Sequence, residues 1–143
     1  MFTERGQGLI RWGVVLIALS VLSGFAIPHV AGPVLGLATH VQGLLNAFML
    51  ILIGLIWSRV EIGYLGSVVA YWGLIAGGFV TFGVQLACTF LEIGGTVFPI
   101  VGAGHVGTPA QETIVRITIE GVSVVTTLAV LLVARGVLKK PAI

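Results

Sequence analysis

Four long apolar stretches restrict this chain to one class of fold. Each is long enough to cross a bilayer, since a crossing helix takes about 20 predominantly apolar residues. The chain has 143 residues, of which 57% are hydrophobic and only 8% are charged, whereas a soluble domain carries about a quarter charged residues. We therefore predict an all-α integral membrane protein. It is expected to form a four-helix transmembrane bundle in a single domain, residues 1–143, with helices at about 9–27, 34–57, 64–91 and 109–138.

Basic residues indicate how these helices are oriented. They lie before the first helix, between the second and third, and after the fourth: Arg5, Arg11, Arg59, Arg135, Lys139 and Lys140. The loop "PHVAGP" and the loop 92–111 contain no Lys or Arg. The positive-inside rule then places both termini in the cytoplasm. The first stretch resembles a signal peptide, but it is long for one and three spans follow, so we expect a retained helix in the lipid of a bacterial inner membrane.

The second outer loop contains a motif without the context that its usual function requires. "GAGHVG", residues 102–107, matches G-x-G-x-x-G. The dinucleotide fingerprint needs a preceding strand and an acidic residue about 20 positions later, but a transmembrane helix follows here. We expect a turn, with Thr108 capping the fourth helix, Pro109 at its first position and Gln111 completing a capping box. The net charge of +2 is likewise too small to indicate nucleic acid as a partner.

The second helix carries polar residues within "THVQGLLN", Thr39–Asn46, between almost purely apolar segments. Polar groups at membrane depth are costly and indicate functional sites. His40 lies about 10 Å from the outer end of the helix, on one side with Gly36 and Gly43. Two interpretations stay open. The glycines leave room for a flat, bulky group beside His40, or they serve helix packing and His40 bonds a neighbouring carbonyl.

Asn46 lies on a neighbouring face of the same helix. It is about 120° from His40, so both can border one pocket but cannot both point at its centre. Asn46 shares a narrow arc with Thr39 and Gln42. The alternative to a site role for the two amides is interhelical hydrogen bonding, worth about 0.6 kcal/mol each.

The fourth helix places a carboxylate deep in the membrane. Within "ETIVRITIE", Glu112, Arg116 and Glu120 are spaced by four and share a face. Glu112 and Arg116 are expected near the outer interface, where an ion pair is ordinary. Glu120 lies about 18 Å from the helix start. It either pairs with Arg116 or faces a polar site.

The order and spacing of these motifs resemble those of a known family. The second helix, "LGLATHVQGLLNAFMLILIGLIW", and the segment "GHVGTPAQE" before a long apolar helix resemble the small membrane mutases typified by hydroxylaminobenzene mutase. The likeness covers nearly the whole chain. The H-x5-N element of His40 and Asn46 is also similar to one in styrene oxide isomerase, a more distant relative.

The resemblance implies an assembly, a cofactor and site residues. Styrene oxide isomerase is a trimer of four-helix subunits with haem b near the subunit contacts. Its ferric iron, which has a histidine axial ligand, acts as a Lewis acid on the epoxide oxygen. The resemblance therefore implies a homotrimer, with haem b on His40 beside Gly36 and Gly43, and an active-site asparagine at Asn46. The isomerase also uses an Asp and a Tyr of its third helix. This chain has no Asp, and its Tyr71 is not clearly in register.

For these reasons the resemblance favours rearrangement of an aryl hydroxylamine to an ortho-aminophenol over epoxide isomerisation. A small aromatic molecule is then the substrate, and Asn46, Glu120 and Tyr71 are the candidate catalytic residues. Two other classes stay open. A haem-bearing membrane anchor subunit usually needs a second axial histidine, whereas His29 and His105 lie in outer loops. A small proton-coupled multidrug transporter typically has a membrane-embedded Glu in its first helix, whereas the membrane-embedded Glu120 of this chain lies in the fourth.

Overall fold

The computed structural model describes residues 3–139, and these form four long helices. Their bounds are Glu4–Gly24 for α1, Pro33–Ile56 for α2, Tyr64–Leu91 for α3 and Pro109–Leu138 for α4. All four are long and apolar enough to cross a membrane, and residues 3–139 contain no strand. The prediction of an all-α, four-helix transmembrane protein is confirmed. Lys140, used above to predict orientation, lies outside the described residues.

Local capping explains where two of the helices begin. α1 begins at Glu4, earlier than the apolar pattern indicates, because the Thr3 hydroxyl accepts a hydrogen bond from the Gly6 amide at 3.1 Å. At the start of α4, the Thr108 hydroxyl accepts from the Gln111 amide at 3.4 Å. The Gln111 side chain in turn accepts from the Thr108 amide at 2.8 Å. The predicted capping box is confirmed.

α1 and α2 form an antiparallel pair whose backbones approach closely. Small residues face each other along the contact: Gly6 and Gly54, Gly13 and Ala47, Ser20 and Gly43. A Cβ atom built at Gly54 would lie 2.7 Å from the Gly6 carbonyl oxygen, so a side chain there requires the backbones to separate. Small residues at such contacts let helices pack in lipid, where no hydrophobic drive brings them together.

α4 is the peripheral helix of the bundle. α3 packs against α2 and α1 on one side and against α4 on the other, whereas α4 packs mainly against α3. Gly73 and Gly77 of α3 accommodate Ala129 and Thr126 of α4. Only 17% of the most apolar part of α4 is buried, against 39% for α3. Most of the circumference of α4 is therefore exposed in the single chain.

The two ends of the bundle differ in charge. At one end the loop before α2 meets the loop before α4, where Gly32 lies beside the His105 ring. At the other end Arg5 stacks over Tyr64 at 5.1 Å and donates to the Ser67 hydroxyl. The Lys and Arg residues described there are Arg5, Arg11, Arg59, Arg135 and Lys139. Of the described Lys and Arg residues, Arg116 alone lies in the half of the bundle nearer His105.

A buried carboxylate fastens the loop between α3 and α4. Glu112 is 5% exposed and accepts hydrogen bonds from the amides of Gly94 at 2.7 Å, Gly107 at 2.8 Å and Thr96 at 3.2 Å. The Thr96 hydroxyl donates to it as well. The ion pair expected between Glu112 and Arg116 is therefore not formed among the described residues. The loop folds over the start of α4 and satisfies the carboxylate with its own donors, which offsets the cost of burial.

Candidate active site

His40 lies against α1. Its Nδ1 is 2.6 Å from the carbonyl oxygen of Ser20, and its ring borders Gly24. Of the two interpretations left open above, a bond from His40 to a neighbouring carbonyl is the one observed. A carbonyl only accepts, so Nδ1 carries the proton, and in the neutral imidazole Nε2 keeps its lone pair. This is the arrangement in which a histidine offers Nε2 to a metal.

Gly36 and Gly43 serve helix packing. Both are buried, and a Cβ at Gly36 would contact side-chain atoms of Val30 and Thr89 at 3.4 and 3.5 Å. A Cβ at Gly43 would overlap Ser20 and lie 2.6 Å from the ring of Phe82. The expected open space beside His40 is absent from the described chain, because α1, α3 and the loop before α2 occupy it. The assignment of a cofactor to these two glycines stays a prediction.

Asn46 lines a polar cleft of about 220 Å³ between α2, α3 and α4. The lining residues are Gln42, Asn46, Gly77, Thr81, Ser123, Thr126 and Thr127. The Asn46 Nδ2 is 3.5 Å from the Gly78 carbonyl, and its Oδ1 is 3.4 Å from Gln42 Nε2. Both distances are long for hydrogen bonds of an amide. Asn46 therefore retains capacity to bind a polar ligand in the cleft.

A second amide near the cleft lacks a partner. Gln85 follows Thr81 by one turn and shares its face of α3. Its Oε1 is buried and has no hydrogen-bond partner among the described residues. Buried polar atoms are normally paired. The cleft and its surroundings thus hold more hydrogen-bonding capacity than the described chain uses, which at membrane depth indicates a functional site.

Tyr71 does not join this cleft. Its hydroxyl contacts Gly8 of α1, and its ring packs edge-on against Trp57 and Trp72, with centroids 6.5 and 5.2 Å away. It borders a separate cleft of about 440 Å³ lined also by Glu4, Gly8, Arg11, Trp12 and Val15. About two helical turns of α3, roughly 10 Å, separate Tyr71 from the Gly78 carbonyl that Asn46 contacts. Its predicted catalytic role gains no support from this position.

Glu120 also lies outside the cleft. It is exposed on α4, as is Arg116. The two side chains form no ion pair within residues 3–139, where the one close contact between a carboxylate and a basic side chain is Glu92 with His105 at 3.8 Å. Neither expected environment of Glu120, a pair with Arg116 or a polar cavity, is present among the described residues.

Five residues of the cleft were not predicted as site residues: Gly77, Thr81, Ser123, Thr126 and Thr127. The segment "SVVTT" in α4 does carry a signal, since it places hydroxyls three and four residues apart at membrane depth. The signal is weak because helical hydroxyls bond their own backbone. Thr126 donates to the Val122 carbonyl at 2.7 Å, so its polarity alone implies no ligand.

Comparison with known proteins adds chemistry to this geometry. The styrene oxide isomerase family model matches residues 6–138, which include nearly all of α1 to α4. Hydroxylaminobenzene mutase HabB of Ectopseudomonas oleovorans is 32% identical over 115 residues, covering 80% of this chain and 70% of the relative. Hydroxylaminobenzene mutase HabA of the same organism is 34% identical over 108 residues, covering 75% and 79%. No solved structure matches the chain.

Proposed function

Because the chain belongs to the styrene oxide isomerase family, we propose that it rearranges an aryl hydroxylamine to an ortho-aminophenol. The resemblance drawn from its motifs is confirmed, and the chain is a membrane isomerase or mutase. One observation carries the finer proposal: HabA and HabB, at 34% and 32% identity, are both named hydroxylaminobenzene mutases. The substrate class is then a small aromatic molecule that partitions into lipid.

The polar cleft at Asn46 suits such a substrate. An aryl hydroxylamine combines an apolar ring with one polar N–OH group, and the cleft offers amides and hydroxyls within an apolar bundle. The reaction breaks the N–O bond and forms a C–O bond at the ortho carbon. Substrate and product have the same composition, so no redox partner takes part. Asn46 would orient the N–OH group by hydrogen bonding, and exclusion of bulk water would protect the electron-poor ring.

Haem b on His40 belongs to the same proposal. The donor chemistry fits, since the Ser20 carbonyl holds Nδ1 and leaves Nε2 free. Side chains pack against Gly36 and Gly43 among the described residues, so these two glycines provide no open space for the haem. When bound, haem would supply a Lewis acid for the charge that develops on oxygen. His40 would hold it, and Ser20 would fix the orientation of the imidazole.

A homotrimer in a bacterial inner membrane, with both termini cytoplasmic, completes the proposal. The clustering of Arg5, Arg59, Arg135 and Lys139 at one end of the bundle supports this orientation.

The test is turnover by purified protein in nanodiscs. Hydroxylaminobenzene is supplied without NADH, quinone or oxygen, in ¹⁸O-labelled water. We expect ortho-aminophenol without label. Label in the product would mean that solvent captures a free intermediate, and absence of turnover in haem-loaded protein would overturn the proposed activity.

Epoxide isomerisation is the second candidate, because the matching family model is that of styrene oxide isomerase. Two features count against it: the chain has no Asp, and Tyr71 lies away from the Asn46 cleft. Styrene oxide in the same assay distinguishes the two reactions. The comparisons name neither a transporter nor an anchor subunit, so they lend no support to those alternatives.

A further inference from the structure

α4 exposes a stripe of polar residues within its membrane-spanning length. The stripe consists of Thr113, Arg116, Glu120, Ser123 and Thr127, all exposed in the single chain. Their separations of three and four residues place them on one face of the helix. Such spacing is typical of a helix face that packs along another helix.

At Arg116 and Glu120 the stripe points away from the face of α4 that packs against α3. The buried side of α4 includes Val115, Val122 and Ala129, which lie on the face packed against α3. Glu120 is about 160° from Val122 at 100° per residue. Ionisable residues within membrane spans almost always face protein or a water-filled cavity, because exposure to hydrocarbon is costly. Arg116 can extend its long side chain toward the outer interface, but the shorter Glu120, about 18 Å along the helix, cannot.

Arg116 and Glu120 carry opposite charges at nearby depths, yet they do not pair within the described chain. Four residues separate them by about 6 Å along the helix. When copies of α4 lie side by side in the same orientation, Arg116 of one copy comes within reach of Glu120 of the next. The stripe is therefore complementary to itself in charge.

We propose that this polar stripe is a contact between copies of the chain, in which Arg116 of one copy pairs with Glu120 of the partner copy. The contact goes beyond the proposed activity, because it assigns assembly to particular residues. It also bears on the active site. Ser123 and Thr127 belong to both the stripe and the Asn46 cleft, so the partner copy would border the open side of that cleft.

Charge reversal tests the pair without measuring turnover. Arg116→Glu and Glu120→Arg are each expressed alone and examined by native mass spectrometry in nanodiscs. We expect loss of the oligomer in each case, because the stripe then carries charges of one sign only. Co-expression of the two single variants, with different tags, should bring both tags into one assembly, since an acidic stripe on one copy would face a basic stripe on the other.

The opposite results would overturn the proposal. Oligomers that survive both single substitutions would mean that lipid or water faces the stripe. Failure of the two differently tagged variants to associate would mean that Arg116 and Glu120 do not pair between copies.

Cysteine cross-linking gives a second measurement that does not depend on loss of folding. Cys88 is the single cysteine of the sequence. In a Cys88→Ser background, Ser123→Cys should form disulfide-linked copies in native membranes on mild oxidation. Leu128→Cys, exposed on a different face of α4, should not. Equal cross-linking at both positions would overturn the proposal. Assembly is the readout throughout, so failure of the mutase activity would leave this result intact.

Discussion

The imidazole of His40 on α2 is joined to α1 through the Ser20 carbonyl oxygen, 2.6 Å from Nδ1. This bond occupies Nδ1 and leaves Nε2 as the nitrogen available to haem iron. Removing the ring should therefore remove the proposed haem ligand. His40→Ala should lose most of the bound haem, measured as the Soret absorbance per protein. His29→Ala and His105→Ala, both outside the four long helices, should retain it. A full haem complement with an unchanged spectrum in His40→Ala would show that His40 is not the ligand.

Asn46 lies in the polar cleft and not against α1, so turnover and haem content should separate there. Asn46→Ala should lower kcat/KM by about five- to 150-fold, the effect of losing roughly 1–3 kcal/mol of hydrogen bonding. Its haem content should stay near that of the unmodified protein. Leu45→Ala, an exposed neighbour on the same helix, serves as the matched control and should leave kcat/KM unchanged. Equal loss of haem and rate in Asn46→Ala would argue for a structural role.

Glu112 should matter for stability through the loop that it holds. Glu112→Gln replaces one acceptor oxygen by an NH₂ group that faces amide donors, leaving buried groups unpaired at a cost of about 1–3 kcal/mol each. We expect a lower Tm in detergent and faster hydrogen exchange at the Gly94 and Gly107 amides. Glu92→Gln, at an exposed carboxylate, should change neither quantity. Unchanged exchange in Glu112→Gln would show that the loop is held by other contacts.

The α1–α2 contact predicts a contrast between two glycines. Gly54→Ala introduces a Cβ 2.7 Å from the Gly6 carbonyl, and overpacking of this kind costs about 1–3 kcal/mol. Gly121→Ala adds a methyl group where nothing lies within 4 Å. Compared with the unmodified protein, Gly54→Ala should unfold at a lower SDS fraction. Gly121→Ala should unfold at the same or a higher SDS fraction. Equal midpoints for the two variants would contradict the close approach of α1 and α2.

The orientation can be tested by labelling single cysteines in a Cys88→Ser background. A cysteine at residue 105 should react with a membrane-impermeant maleimide from outside intact cells or right-side-out vesicles. A cysteine at residue 139 should react only after the membrane is opened. Both positions reacting from the same side would contradict the predicted orientation.

The sequence predicts the helices well, because the length of each apolar stretch and the Thr108 capping box are local properties of the chain. It also predicts the angle between His40 and Asn46. It does not predict what lies at each angle: α1 beside His40, and the cleft beside Asn46. In the sequence, Gly36 and Gly43 are equally compatible with a cofactor site and with close helix packing. The positions of the neighbouring helices decide between the two. The prediction for Glu112 is wrong for a related reason. Helical spacing pairs it with Arg116, whereas its donors belong to the irregular loop before α4, which helical spacing does not describe.

The close contact of α1 with α2 also bears on how the chain is made. It joins residues between Gly6 and Gly54, all of which are synthesised before α3. Synthesis proceeds from the N-terminus, and early segments can associate while later ones are still being translated. α4 is synthesised after α1, α2 and α3, packs mainly against α3, and enters lipid with its polar stripe uncovered. The stage of biogenesis most exposed to quality control is then the interval between insertion of α4 and the arrival of a second copy.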